Sequence, residues 1–259
     1  MTEVYNKNTE LNFAISYNKL KEQQSSSWIN EEWLKCCISL LEITPYLDFR
    51  SEIVALLPYK KQETICTLVL FKDYIQVIDQ SSLMVINAWL QSFNLDYEHY
   101  RELYLSAHPH KTYTIPVSNG HFSLFPLENI QHSTTIWLNA GQIDALDKQN
   151  YHTRITLHNG LFLDVTKQIP SLEQHILRAI HCLLLFRPIQ ELSNTIITQP
   201  TNLLEYLKLP STVITRKVTR LLPFTLNAKE ENRFRLNYFG MTQEYQRYLE
   251  QKQQKYPFL

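Results

Sequence analysis

A chain of 259 residues lies near the roughly 250–300 residue limit of a single hydrophobic core, so one large domain or two small ones both fit. Hydrophobic residues at 44% and charged residues at 19% exclude disorder; four glycines, where average usage gives roughly 18, leave no glycine-rich phosphate loop, dinucleotide fingerprint or nucleophile elbow. Net charge is zero but uneven: residues 1–107 carry 9 Lys or Arg against 14 Asp or Glu, residues 108–207 carry 6 against 7, and residues 208–259 carry 10 against 4.

A basic C-terminal segment behind an acidic region suits a nucleic-acid-binding chain, and a solvated surface accounts for it as well. The first residues are polar with no apolar leader. The longest apolar run, residues 182–186, is far short of the ~20 residues of a membrane span. The expectation is a cytoplasmic protein with no membrane partner. Cys36, Cys37, Cys66 and Cys182 form no C-x-x-C pair and read as reduced structural thiols.

In chain order, the first fifty residues read as helical. Asn30 precedes Glu31 and Glu32, and Trp33, Cys37, Leu40 and Leu41 follow at helical spacing. Residues 53–57, 64–71 and 74–78 read as strands, with breaks at 58–62 and 72–73. Residues 83–90 read as a further strand, and 96–107 as a helix with Asp96 at its N-cap.

Two hairpins follow. Residues 112–127 turn at Asn119-Gly120 and residues 154–165 at Asn159-Gly160, the pair that favours a type I′ turn. A two-residue turn in the first sets Val117 opposite Phe122 and Ile115 opposite Leu124, with Ser118, His121 and Ser123 on a polar face. Ser171 and Gln174 then read as a capping box for a helix carrying Leu172, Ile176, Ile180 and Leu183, closed by Arg187-Pro188. Beyond a stretch punctuated by Pro188, Pro200, Pro210 and Pro223, a last helix is predicted at 242–255.

No catalytic constellation stands out. His108, His110, His121 and His132 fall in one window, but Pro109 separates the first two and no acidic ligand is near, so neither metal nor other cofactor is expected. Ser, Cys, His and acids carry no nucleophile signature, and the chain reads as a non-enzyme. The basic run Arg216-Lys217-x-x-Arg220 and the pair Arg233 and Arg235, read as sharing one strand face, suit phosphate and minor-groove contact. A solvated face is the competing account.

From about residue 55 to residue 187 the order of motifs resembles the ComK family of competence transcription factors. The matching stretches are Ala55-Leu56-Leu57-Pro58, His110-Lys111, Ser118-Asn119-Gly120-x-x-Ser123-Leu124-Phe125-Pro126, Trp137-Leu138-Asn139, Ile155-Thr156-Leu157-His158-Asn159-Gly160, and the helix from Ser171 to Leu183. The resemblance implies an activator of competence (DNA uptake) genes that binds A/T-rich duplex DNA, largely through the minor groove, as a homo-oligomer. It also implies control by an adaptor that delivers the protein to a protease. The family's G-S-S-Y segment falls near residues 94–101, where only Tyr97 and Arg101 remain. A fainter resemblance, through Trp137, Asn139, Ile143 and Leu163-Asp164-Val165-Thr166, is to LytTR-type DNA-binding domains, which contact DNA with loops.

The expectations are therefore an α+β fold: an N-terminal helical extension (1–50), a β-rich core (51–190) with hairpins, and a basic C-terminal segment (191–259) with a helix and no helix-turn-helix. The expected function is a bacterial DNA-binding transcription regulator, with DNA contacts at Lys111, His121, Arg154, Arg216, Lys217, Arg233 and Arg235. The alternative is a regulatory protein-binding module that has lost DNA binding, which the neutral net charge and the missing glycine motif favour.

Overall fold

Along residues 53–78 both alternating sets of side chains are apolar, which requires a sheet covered on both faces. The computed structural model, which describes residues 14–23, 26–44, 46–48, 51–61, 64–107, 114–191, 201–222 and 228–255, supplies that cover. Its first half contains β1 (Ile15–Ser16), α1 (Tyr17–Gln23), α2 (Glu31–Leu40), β2 (Ile43–Thr44), β3 (Ile53–Lys61), β4 (Thr64–Phe71), β5 (Tyr74–Ile78), α3 (Ser82–Gln91) and α4 (Tyr97–Ala107). Then come β6 (Val117–Ser118), β7 (Ser123–Pro126), β8 (Trp137–Asn139) and a 3-10 turn over Ala140–Gln142. The strands β9 (Ile143–Gln149), β10 (His152–Leu157) and β11 (Phe162–Val165) follow, then α5 (Ile169–Glu191), α6 (Leu203–Leu207), α7 (Val213–Thr219) and α8 (Ala228–Lys255).

The large sheet runs β1-β5-β4-β3-β8-β7-β6, antiparallel except that β2 lies parallel beside β5. One face, carrying Ala55, Leu57, Leu68, Leu70 and Val77, shares a core with α2, α5, α6, α7 and the three-stranded sheet β11-β10-β9. The other, carrying Leu56, Val69, Phe71 and Ile78, shares a core with α3, α4 and α8. The protein is an α+β fold with helical segments at both ends of the chain. Trp33 and Cys37 of α2 are buried in the first core, and β1 and β2 extend the large sheet, so these N-terminal elements are built into it.

Several local expectations hold. Asn30 caps α2, its side chain accepting from the Trp33 N–H at 2.8 Å, and Asp96 accepts from the His99 N–H at 2.9 Å. Others are corrected. Residues 83–90 form helix α3, not a strand: Ser81 caps it, and Val85, Ile86, Trp89 and Leu90 bury one helical face. Strand β3 continues through Pro58 to Lys61. Its pairing with β8 stops at Leu56, so Pro58 sits where one side of the strand has no ladder to donate to.

Both hairpins form, but neither turn is type I′. Positive φ occurs at Gly120 (84°) and Gly160 (83°), and neither Asn119 nor Asn159 shares it. The second is a three-residue loop in which Gly160 N–H donates to the Leu157 carbonyl at 2.9 Å and Leu157 N–H to Leu161 at 2.8 Å, a turn closed by a left-handed glycine. In the first, Val117 pairs with Leu124 and Ser118 with Ser123, two residues from the expected register. Ser118 and Ser123 are buried, not on a solvated face. Ser118 Oγ, which donates to the Phe122 carbonyl at 2.9 Å and accepts from Gly120 N–H at 3.1 Å, is satisfied inside the loop.

Helix α5 begins at Ile169, before Ser171, and runs past Pro188 to Glu191, so Ser171 is no cap and Pro188 does not end it. Helix α8 starts at Ala228, fourteen residues ahead of the expected start at 242. Among the described residues, no helix is long and apolar enough to cross a membrane.

Candidate nucleic-acid interface

The basic residues of the C-terminal segment are sorted by the helices that carry them. Helix α7 is started by a reciprocal cap: Thr215 N–H donates to Thr212 Oγ1 at 3.1 Å, and Thr212 N–H donates to Thr215 Oγ1 at 2.9 Å. The Thr212 hydroxyl also donates to the Ile143 carbonyl at 3.1 Å, tying the start of α7 to β9. Ile214, Thr215, Val218 and Thr219 are buried. Val213, Arg216, Lys217 and Arg220 are exposed. Those four positions follow i, i+3, i+4, i+7, so they form one solvent-facing stripe bearing three cations.

Two of the cations have internal contacts. Lys217 Nζ lies 2.6 Å from Glu173 Oε1 on α5. Arg216 Nε donates to the Thr212 carbonyl at 3.2 Å, engaging one of its five donors. The Arg220 side chain makes no hydrogen bond or ion pair to another described residue, while its backbone N–H donates to the Val218 carbonyl at the end of α7.

Arg233 and Arg235 are not on a strand. They lie on α8, where a separation of two residues turns side chains about 200° apart, so they do not share a face. Phe234 between them is buried, edge-on to Phe186 at 5.0 Å, and fixes this rotation. Arg233 is exposed, and Arg235 Nη2 donates to Glu231 Oε1 at 2.9 Å. Helix α8 packs on α4 and α7 packs on β9, so the two pairs of cations belong to different cores of the molecule.

Arg154 lies within β10, directly opposite Asp164 on β11 and Asp147 on β9. Its Nε and Nη2 donate to the two Asp164 oxygens at 2.9 and 3.0 Å, and its guanidinium sits 4.2 Å over the Phe162 ring. The hydrogen bonds from Arg154 hold the Asp164 carboxyl below the usual carboxylate range. Flanked by two acids, this arginine serves as a cross-strand pair.

His121 is exposed in the β6–β7 loop, its N–H donating to Asn119 Oδ1 at 2.9 Å. Loss of hydration, then the positive charges of Arg187 and Lys208, hold its imidazole below the ordinary value, with Glu52 opposing. Arg187 Nη1 reaches the Gly120 carbonyl at 3.3 Å, which joins this loop to α5. Lys111, His108 and His110 lie outside the described residues. Among the described residues, no three potential metal ligands converge.

Two features were missed in the sequence. The spacing of Arg216, Lys217 and Arg220 becomes a stripe only once Val213–Thr219 is helical, and Thr212 and Thr215 are the local sequence signal for that helix. The second is an open cleft of about 460 Å³ beside the β9–β10 turn, lined by Lys148, Tyr151, His152, Lys167 and Pro170 among others. Tyr151 at its tip is 93% exposed, and no sequence pattern marks it. Comparison with protein-family models, curated proteins and solved structures finds no match.

Proposed function

We propose that the protein is a DNA-binding transcription regulator similar to the ComK competence factors, activating competence genes by binding A/T-rich duplex DNA. The observation that carries the reading is the exposed stripe Arg216, Lys217 and Arg220 on a helix packed against β9 and α5. A chain of zero net charge that concentrates cations on one anchored face has an electrostatic footprint for phosphates without general stickiness. The Lys148, His152 and Lys167 rim of the β9–β10 cleft adds a loop-borne contact of the kind the ComK and LytTR resemblances imply.

Anisotropy titration of labelled A/T-rich and G/C-rich duplexes at two salt concentrations tests the reading. Binding that favours the A/T-rich duplex and weakens steeply with salt supports it. Absence of binding to any duplex at low salt overturns it in favour of a protein-binding module.

A further inference from the structure

We propose that α7 is a base-reading helix that enters the major groove of duplex DNA, with Val213 and Arg216 toward base edges and Arg220 toward phosphate. This rests on the DNA-binding reading above and gives it a reading helix in the major groove, in place of the minor-groove contact by loops and strands, without a helix-turn-helix, that the resemblances imply.

The first support is how the helix is presented. α6 ends at Lys208, left-handed at φ 53° and ψ 37°, whose N–H donates back to the Glu205 and Leu204 carbonyls. The chain then turns through Leu209 and Pro210 and re-enters helix at the Thr212 cap. Leu203, Leu207, Ile214 and Val218 share one core, and both α6 and α7 pack against α5. A short helix, a turn through a left-handed residue and a second helix set on a third is how a helix-turn-helix holds its reading helix outward. Five residues separate α6 from α7, about one more than is usual, a difference within the spread of helix boundaries.

The second support is what the outward face carries. From Val213 to Arg220 the stripe rises about 10 Å along the helix axis, the length of roughly three base pairs. A major groove about 12 Å wide admits a helix, and a minor groove about 6 Å wide does not. Arginine's planar fork matches guanine O6 and N7, and a small apolar side chain such as Val213 suits the thymine methyl. The bond from Arg216 Nε to the Thr212 carbonyl lays that side chain toward the start of α7 and leaves its terminal nitrogens to meet a base. Val213, 66% exposed, has no core to fill on this side.

The test uses the full chain and duplexes selected by it from a random pool, probed by dimethyl sulfate interference. Methylation at guanine N7 reports the major groove, and at adenine N3 the minor groove. Interference at guanine N7 is expected within the selected site. Arg216→Lys, which keeps the charge but not the fork, is expected to lower affinity for that site by about tenfold or more while random duplex binding changes by less than about threefold. The inference is overturned if interference falls at adenine N3 alone. It is also overturned if Val213→Ser, Arg216→Lys and Arg220→Ala combined leave the sequence preference unchanged; DNA binding would then stand without α7. If the wild-type chain binds no duplex, both readings fail together, and the stripe is a surface for an acidic protein partner.

Discussion

At the scale of single residues, burial and pairing decide which polar groups are available to a ligand. His175 on α5 is buried at 7% exposure, stacked on Phe125 with ring centroids 5.9 Å apart, and its Nδ1 has no hydrogen-bond partner. Loss of hydration, then the charges of Lys167 and Arg178, lowers its pKa to about 4. The folded state therefore holds the neutral ring while the unfolded chain takes up a proton near pH 6.5. Stability from this residue is complete above about pH 6.5 and falls as the pH drops toward 4. Urea midpoints measured from pH 4 to 8 should show that fall, and His175→Phe should flatten it; equal slopes in both proteins would refute the assignment. Arg154 gives a second prediction. Its pair with Asp164 is partly exposed, so Arg154→Met should leave the urea midpoint close to that of the wild-type chain and duplex affinity within about twofold. A large loss of affinity at unchanged melting temperature would return Arg154 to the DNA contact set.

At the scale of elements, legibility in the sequence followed whether local chemistry or tertiary context decided the outcome. Asn30 and Asp96 were readable because a cap is settled by the side chain and the next three residues. Residues 83–90 were not, because a short run apolar on nearly every side fits a buried strand and a buried helix alike. The register of the first hairpin was lost for a related reason. Alternation identifies the buried face only when the other is wet, and β6 and β7 are buried on both. Glycines separate the two kinds of constraint. A Cβ at Gly160 meets nothing within 4 Å, so Gly160→Val should cost about 1–2 kcal/mol through the positive φ alone. At Gly141 a Cβ would stand 2.9 Å from Leu209 Cδ2 and 3.3 Å from Asn139 Oδ1. Gly141→Ala should therefore disturb the seat of the α6–α7 turn and weaken DNA binding more than Gly160→Val does at matched stability. Equal effects on affinity would indicate that the turn's seat is irrelevant to binding.

At the scale of the whole molecule, the α+β class and the basic C-terminal segment were legible, since composition, turn signals and charge counts need no tertiary knowledge. The grouping of the site was not. Sequence placed Arg216, Lys217, Arg233 and Arg235 in one basic tail, whereas the fold puts the first two on α7 against β9 and the others on α8 against α4. Helical phase then separates Arg233 from Arg235, because Phe234 must face the core. Pairs of substitutions should reveal this division: Arg233→Ala with Arg235→Ala is expected to leave duplex affinity within about twofold, while Arg216→Ala with Arg220→Ala weakens it about tenfold or more. The most direct measurement is the salt dependence of binding to an A/T-rich duplex, for the wild-type chain and for Arg216→Ala with Arg220→Ala. With Lys217 and Arg220 on phosphate and Arg216 on a base edge, log K is predicted to fall with log salt at a slope of about −1.8 or steeper, shallower by about 0.9 in the double variant. No binding by the wild-type chain at low salt, or the same slope in both proteins, would contradict the account.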